Sequence, residues 1–170
     1  MLTSSILIAD ICYSSFHLKV DFKLLYALQS FCAYRERSPL EVQRKALQLG
    51  IAGSDWPQYE ERLVADDFLS AHRFAQVYAR SKWNQNGWGK LKIAQGLKAS
   101  GISTKMTQQA LQDLPESAYD EQLIAMARRK WEALKNDPQA FAKTCRYLQQ
   151  KGYEPERFLP LIREWQSHQG

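Results

Sequence analysis

The stretch LKASGI, residues 97–102, decides how this chain is read. A short run that suits a helix meets a glycine and then an apolar residue. Helices close this way when the residue after the last turn must be left-handed. The same pattern stands upstream as ALQLGI (46–51) and downstream as LQQKGY (148–153). Gly50, Gly101 and Gly152 are therefore evenly spaced, 51 residues apart. A second echo agrees. The pentapeptide ARSKW (79–83) returns as ARRKW (127–131), 48 residues on, so the loops of the second and third units differ by three residues. Self-similarity at such a period is the mark of a repeat architecture.

The periodicity inside each unit is helical. Leu24, Ala27, Leu28 and Phe31 fall at i, i+3, i+4, i+7, as do Phe158, Leu161, Ile162 and Trp165. Phe74, Val77, Tyr78 and Ser81 keep that register, and Ile124, Ala127, Trp131 and Leu134 approach it. Each set predicts one apolar stripe on one helix face. Helix starts are marked too. Ser38-Pro39-Leu40-Glu41 offers a capping serine, a proline at the first helical position and a glutamate placed to close a capping box. Asp137-Pro138 and Glu154-Pro155 repeat the proline device, and Ser70 and Ser103 are further caps. No segment alternates like a strand.

The fold class expected is all-α: three tandem three-helix repeats forming an elongated, curved array. The first repeat covers 23–69, with helices from about Lys23, Ser38 and Asp55. The second covers 70–114, from about Ser70, Gly89 and Thr104. The third covers 115–170, from about Ser117, Asp137 and Glu154. Residues 1–22 read as an N-terminal extension without a clear structural signature. They lack the basic start and unbroken apolar centre of a secretory signal.

Composition is consistent with a folded chain. Apolar residues make up 45% of 170, with five Trp, eight Tyr and seven Phe, more aromatics than disorder tolerates. Cys12, Cys32 and Cys145 have no metal-ligand spacing and read as thiols packed as small hydrophobes. No run is long and apolar enough to span a membrane, and a cytoplasmic protein is expected.

Charge is where the sequence becomes specific. Between Phe68 and Gln112 there is no Asp or Glu, while Arg73, Arg80, Lys82, Lys90, Lys92, Lys98 and Lys105 all lie there. Those seven cations exceed the net +5 of the whole chain, so the remainder is net acidic. Such a stretch is read either as a solvated face or as a surface for an anionic partner, nucleic acid or acidic protein. The candidate partner contacts are Arg73, Arg80, Lys82, Lys90, Lys92 and Lys98, with Trp88 as an anchor. Arg128-Arg129-Lys130, flanked by Asp120, Glu121 and Glu132, reads as a solvated face.

Catalytic constellations are missing from the pattern. His17, His72 and His168 have no partner at triad or metal spacing, and Asp66-Asp67 reads as a helix end. Gly87-Trp88-Gly89-Lys90 lacks the spacing, the following hydroxyl residue and the preceding strand of a phosphate loop. The expectation is a binding protein, with no catalytic residues, metal or cofactor.

The second repeat carries a resemblance. Phe68-Leu69-Ser70-Ala71-His72-Arg73-Phe74-Ala75, then Asn86-Gly87-Trp88-Gly89-Lys90-Leu91-Lys92-Ile93, then Leu97-Lys98-Ala99-Ser100-Gly101-Ile102 resembles the most characteristic stretch of the RecX family. Cys32-Ala33-Tyr34-Arg35-Glu36-Arg37-Ser38-Pro39, with Glu41-Val42, is similar to that family's opening joint. The likeness covers about residues 23–170. Two positions depart from the family pattern: Ser70-Ala71 replaces an acid pair, and Lys90 stands where many members have proline. The resemblance implies three tandem three-helix repeats. It also implies a regulator that binds the RecA recombinase filament on single-stranded DNA and, as usual for the family, inhibits ATP turnover and strand exchange; a monomer is expected. Two other readings stay open at this stage: direct DNA binding without a recombinase, and a helical adaptor for acidic peptides.

Overall fold

The computed structural model describes residues 20–168, and most of the 1–22 extension therefore lies outside the described residues. Within them the chain is all-helical, in the order α1 (Phe22–Ala33), α2 (Pro39–Gln48), α3 (Trp56–Ala65), α4 (Ala71–Asn86), α5 (Lys90–Ala99), α6 (Thr104–Gln112), α7 (Glu116–Glu132), α8 (Ala140–Lys151) and α9 (Pro155–Ser167). Helices α4, α5 and α6 pack on one another, as do α7, α8 and α9, and α1 packs on α3. The chain belongs to the class of all-α proteins built from tandem three-helix units.

Two compact units are distinguished. One holds α1, α3 and α2 from Val42 onward. Its core is Leu25, Leu28, Cys32, Val42, Ala46, Trp56, Tyr59 and Leu63, closed by Ile51 and Leu69. The other holds residues 36–41 and α4 to α9 around a single larger core. Phe74, Ala79, Trp83, Ile93 and Leu97 supply one half of that core, and Tyr119, Leu123, Trp131, Leu148, Tyr153 and Phe158 the other.

The caps behave as their chemistry requires. Ser38 Oγ accepts from the Glu41 amide at 3.1 Å, and Glu41 Oε2 accepts from the Ser38 amide at 3.0 Å, a closed capping box. Ser70 and Ser103 cap α4 and α6. Gly50, Gly101 and Gly152 all take positive φ, at 87°, 80° and 85°. Asp66 ends α3, and Asp67 follows it in the left-handed region at φ 58°. Helix α8 starts at Ala140, later than Asp137-Pro138 suggests. The Asp137 carboxylate accepts from the Gln139 amide at 2.8 Å, which holds those residues in a turn ahead of the helix.

Three apolar stripes follow the expected register in part: Phe74, Leu28, Ala127 and Trp131 are buried as expected, and their neighbours differ. In α4 the buried face is Phe74, Ala75, Ala79 and Trp83, and Val77 is 49% exposed. In α7 it is Tyr119, Leu123, Ala127 and Trp131, with Ile124 outward. In α1 it is Leu25, Leu28 and Cys32. In α4 the small residues at 75 and 79 let neighbouring helices approach, and the larger Val77 turns to the surface. Trp83 and Trp131, the last residues of the repeated pentapeptide, are buried near the ends of their helices.

Candidate partner-binding site

The turn Asn86–Gly89 joins α4 to α5 and is where the second triplet meets the third. Gly87 ends α4 in the left-handed region, at φ 61°. Gly89 then caps α5, and its amide donates to the Lys151 carbonyl at 2.8 Å. The Leu91 amide donates to the Gly152 carbonyl at 3.0 Å. The last carbonyls of α8 thus meet the first amides of α5, satisfying both helix ends and placing negative dipole end to positive. The Lys90 amide is taken by the Tyr119 hydroxyl at 2.9 Å. These α5 amides are consumed by protein partners and do not form a phosphate loop.

Tyr119 is the polar centre of this junction. Its hydroxyl donates to Glu154 Oε2 at 2.6 Å while accepting from Lys90, and its ring lies 5.3 Å from that of Tyr153. The Lys90 ammonium sits 4.7 Å from the Tyr119 ring centroid and pairs with Glu116 at 2.6 Å. Arg157 binds Glu116 and Asp120, and its guanidinium lies 5.4 Å from the same ring. Burial first, then the hydroxyl bond to Glu154, pushes the Tyr119 phenol well above its ordinary range. Burial pushes Tyr153 up to about 12. The bonds from Lys90 and then Arg157 hold the Glu116 carboxyl below its usual range.

The candidate residues divide. Lys82, Trp88 and Lys92 come together: the Lys92 and Lys82 ammonium groups lie 4.8 and 5.2 Å from the Trp88 ring centroid. Lys82 is also 5.3 Å from the Tyr78 ring. Such contacts hold each cation without neutralising it. Lys90 belongs to the Tyr119 junction, with its side chain only 17% exposed. Arg73 pairs with Glu36 at 2.5 Å and is half-buried. Arg80 and Lys98 are exposed, and neither joins the Trp88 group.

Sequence reasoning missed Lys151. It stands four residues after Tyr147 on α8, and its ammonium donates to the Asn86 carbonyl at 3.0 Å. Lys92 reciprocates by donating to the Gln150 carbonyl at 3.0 Å. The hint was the LQQKGY echo, which puts a lysine just before the third glycine. Nothing in the sequence alone brings that glycine against Gly89.

Known proteins match this architecture. Residues 72–111 match the second three-helix domain of RecX, and residues 118–157 match the third. The chain is 25% identical over 174 residues to regulatory protein RecX of Geobacillus thermodenitrificans (strain NG80-2), covering 99% of this chain and 62% of that one. It is 28% identical over 123 residues to regulatory protein RecX of Herbaspirillum seropedicae, covering 72% and 78%. The chain thus spans about three-fifths of the Geobacillus protein's length. A crystal structure of RecX from Lactobacillus salivarius shares the fold at TM-score 0.77 and 21% identity, over 84% of this chain and 94% of that one. A second crystal structure, titled regulatory protein RecX, does so at TM-score 0.75 and 19% identity, over 84% and 71%. Residues 72–111 and 118–157 are thus three-helix domains of the RecX type, and the matched regulatory proteins and solved structures support a RecX family protein.

Proposed function

We propose that this protein is a cytoplasmic, monomeric regulator of a RecA-type recombinase. It binds the recombinase filament on single-stranded DNA and inhibits ATP turnover and strand exchange in DNA repair. The repeats are bounded at 23–69, 70–114 and 115–170, and they act as linked contacts along a polymer. Each contact is weak, and linkage raises the apparent affinity through effective concentration. The protein shifts the filament only by its difference in affinity for two filament states. No catalytic group is called for.

The observation that carries this reading is the order of the RecX domains along the chain, the second of them falling on the acid-free stretch from Phe68 to Gln112. Within that stretch Lys82, Lys92 and Trp88 are the contact group, with Arg80 and Lys98 as outlying cations. Arg73 and Lys90 contribute mainly through the fold, since both have carboxylate partners. The test is a pull-down with the recombinase filament, with and without DNA, followed by ATPase inhibition with Lys82→Gln/Lys92→Gln. The reading expects capture by the filament and weaker inhibition by the double variant. Equal inhibition by the variant would remove the Trp88 group from the contact surface.

A further inference from the structure

Three lysines gather around the Asn86–Gly89 turn. Lys82 and Lys92 stand over the Trp88 ring, and Lys151 caps the Asn86 carbonyl. Lys82 comes from α4, Lys92 from α5 and Lys151 from the end of α8. Among the described residues none of the three has a carboxylate within ion-pair distance, although Lys90 and Arg157 close by are both paired with acids. Like charges left together without a counter-ion cost free energy, so the arrangement favours an anion that spans them.

We infer that Lys82, Lys92 and Lys151 form a composite site for the phosphodiester backbone of a single-stranded nucleic acid, assembled only when α8 docks against α5. This rests on the reading of the second triplet as a partner-binding element. It adds a residue of the third triplet and the chemistry of the ligand. Two features favour phosphate over protein carboxylates. Every cation in the cluster is a lysine, a mobile point charge that follows a flexible phosphate chain. No arginine fork is present for planar carboxylates. The partly buried Trp88 indole holds the Lys82 and Lys92 ammoniums over its ring and keeps them together.

The glycine junction gates the site. The Lys151 and Gly152 carbonyls are fixed to the Gly89 and Leu91 amides, and this places the Lys151 side chain beside Asn86. A break at Gly89 therefore separates Lys151 from Lys82 and Lys92.

The experiment is fluorescence anisotropy of a labelled oligo-dT with the full chain, across a salt series and with polyglutamate as competitor. Lys151→Gln is expected to weaken binding several-fold and to reduce the slope of log K against log salt by about 0.7. Lys151→Arg restores both. Gly89→Ala weakens binding with the three lysines intact. If Lys151→Gln melts early by circular dichroism, Lys82→Gln, which removes no hydrogen bond, carries the same expectation. Wild-type affinity in either folded lysine-to-glutamine variant overturns the site. So does polyglutamate that competes as well as unlabelled oligo-dT at equal charge, or the absence of oligo-dT binding at low salt, even if the recombinase is inhibited. Oligo-dT binding as expected, with no effect on the recombinase, supports this site and sinks the filament reading instead.

Discussion

Gly89 and Gly152 meet backbone to backbone: a Cβ added to Gly89 would stand well inside contact distance of the Gly152 carbonyl. The two residues lie in different helical triplets, and hydrogen bonds on either side of them tie α5 to α8. Only glycine permits the approach at residue 89, which is buried and takes an ordinary negative φ of −77°. Its requirement is space, whereas Gly152 needs both space and its left-handed backbone.

Gly89→Ala should therefore destabilise the α4–α9 unit, by about 1–3 kcal/mol as in other overpacked sites. Urea unfolding followed by circular dichroism checks this. A second, separate transition is the expected sign that the two triplets have come apart. An unchanged midpoint would mean the junction yields without cost.

Tyr119→Phe removes a hydroxyl that both accepts from the Lys90 amide and donates to Glu154. A backbone donor loses its partner, so a loss of about 1–3 kcal/mol is expected. The same unfolding assay reads it, and a loss below about 0.5 kcal/mol would show that water replaces the hydroxyl freely.

Alkaline pH should weaken the fold. Tyr153 has its phenol raised from 10.0 to about 12, and Tyr119 is raised further by burial and Glu154. Between those values the folded protein keeps protons that the unfolded chain has released. The unfolded state then binds fewer protons, and stability falls as pH rises through that window. Urea midpoints measured from pH 9 to pH 12 should drop, and Tyr153→Phe should make the drop shallower. A parallel decline in the variant would assign the effect to other groups.

Arg73→Ala and Lys82→Gln should part company. Arg73 is paired with Glu36, so its loss is expected to lower the melting temperature and leave filament binding close to wild type. The pair is partly exposed and its contribution is modest, about 0.5–1 kcal/mol. Among the described residues the Lys82 ammonium has no ion pair and lies over the Tyr78 and Trp88 rings, so its replacement should change the melt little and weaken partner binding. Thermal melts alongside filament co-sedimentation separate the two residues, and the reverse pattern would reassign them.

Much of the fold is legible locally. The helix ends at Gly50, Gly101 and Gly152 need φ > 0, and that need is written in residue type. The Ser38–Glu41 box likewise depends on four adjacent residues. The buried face was legible in α9, where Phe158 and Ile162 are buried as expected, and its edges escaped in α4 and α7, because Val77 and Ile124 are as apolar as the residues beneath them. In α4 the small volume of Ala75 and Ala79 favours their side for a neighbour's approach. The candidate site was half legible. The acid-free stretch singled out Lys82, Trp88 and Lys92, but the same rule swept in Lys90 and Arg73, whose partners Glu116 and Glu36 lie outside it in sequence. Lys151 was hidden for the opposite reason: it belongs to the third triplet and reaches Asn86 across 65 positions.

The proposed action of this helical protein on a recombinase filament runs through the positive group at Trp88. ATP hydrolysis by a RecA-type recombinase on single-stranded DNA, titrated with the purified protein, tests it most directly. Hydrolysis is expected to fall at substoichiometric protein, and Lys82→Gln/Lys92→Gln to require more protein for the same effect. Hydrolysis that stays constant up to a stoichiometric excess of wild-type protein would contradict it.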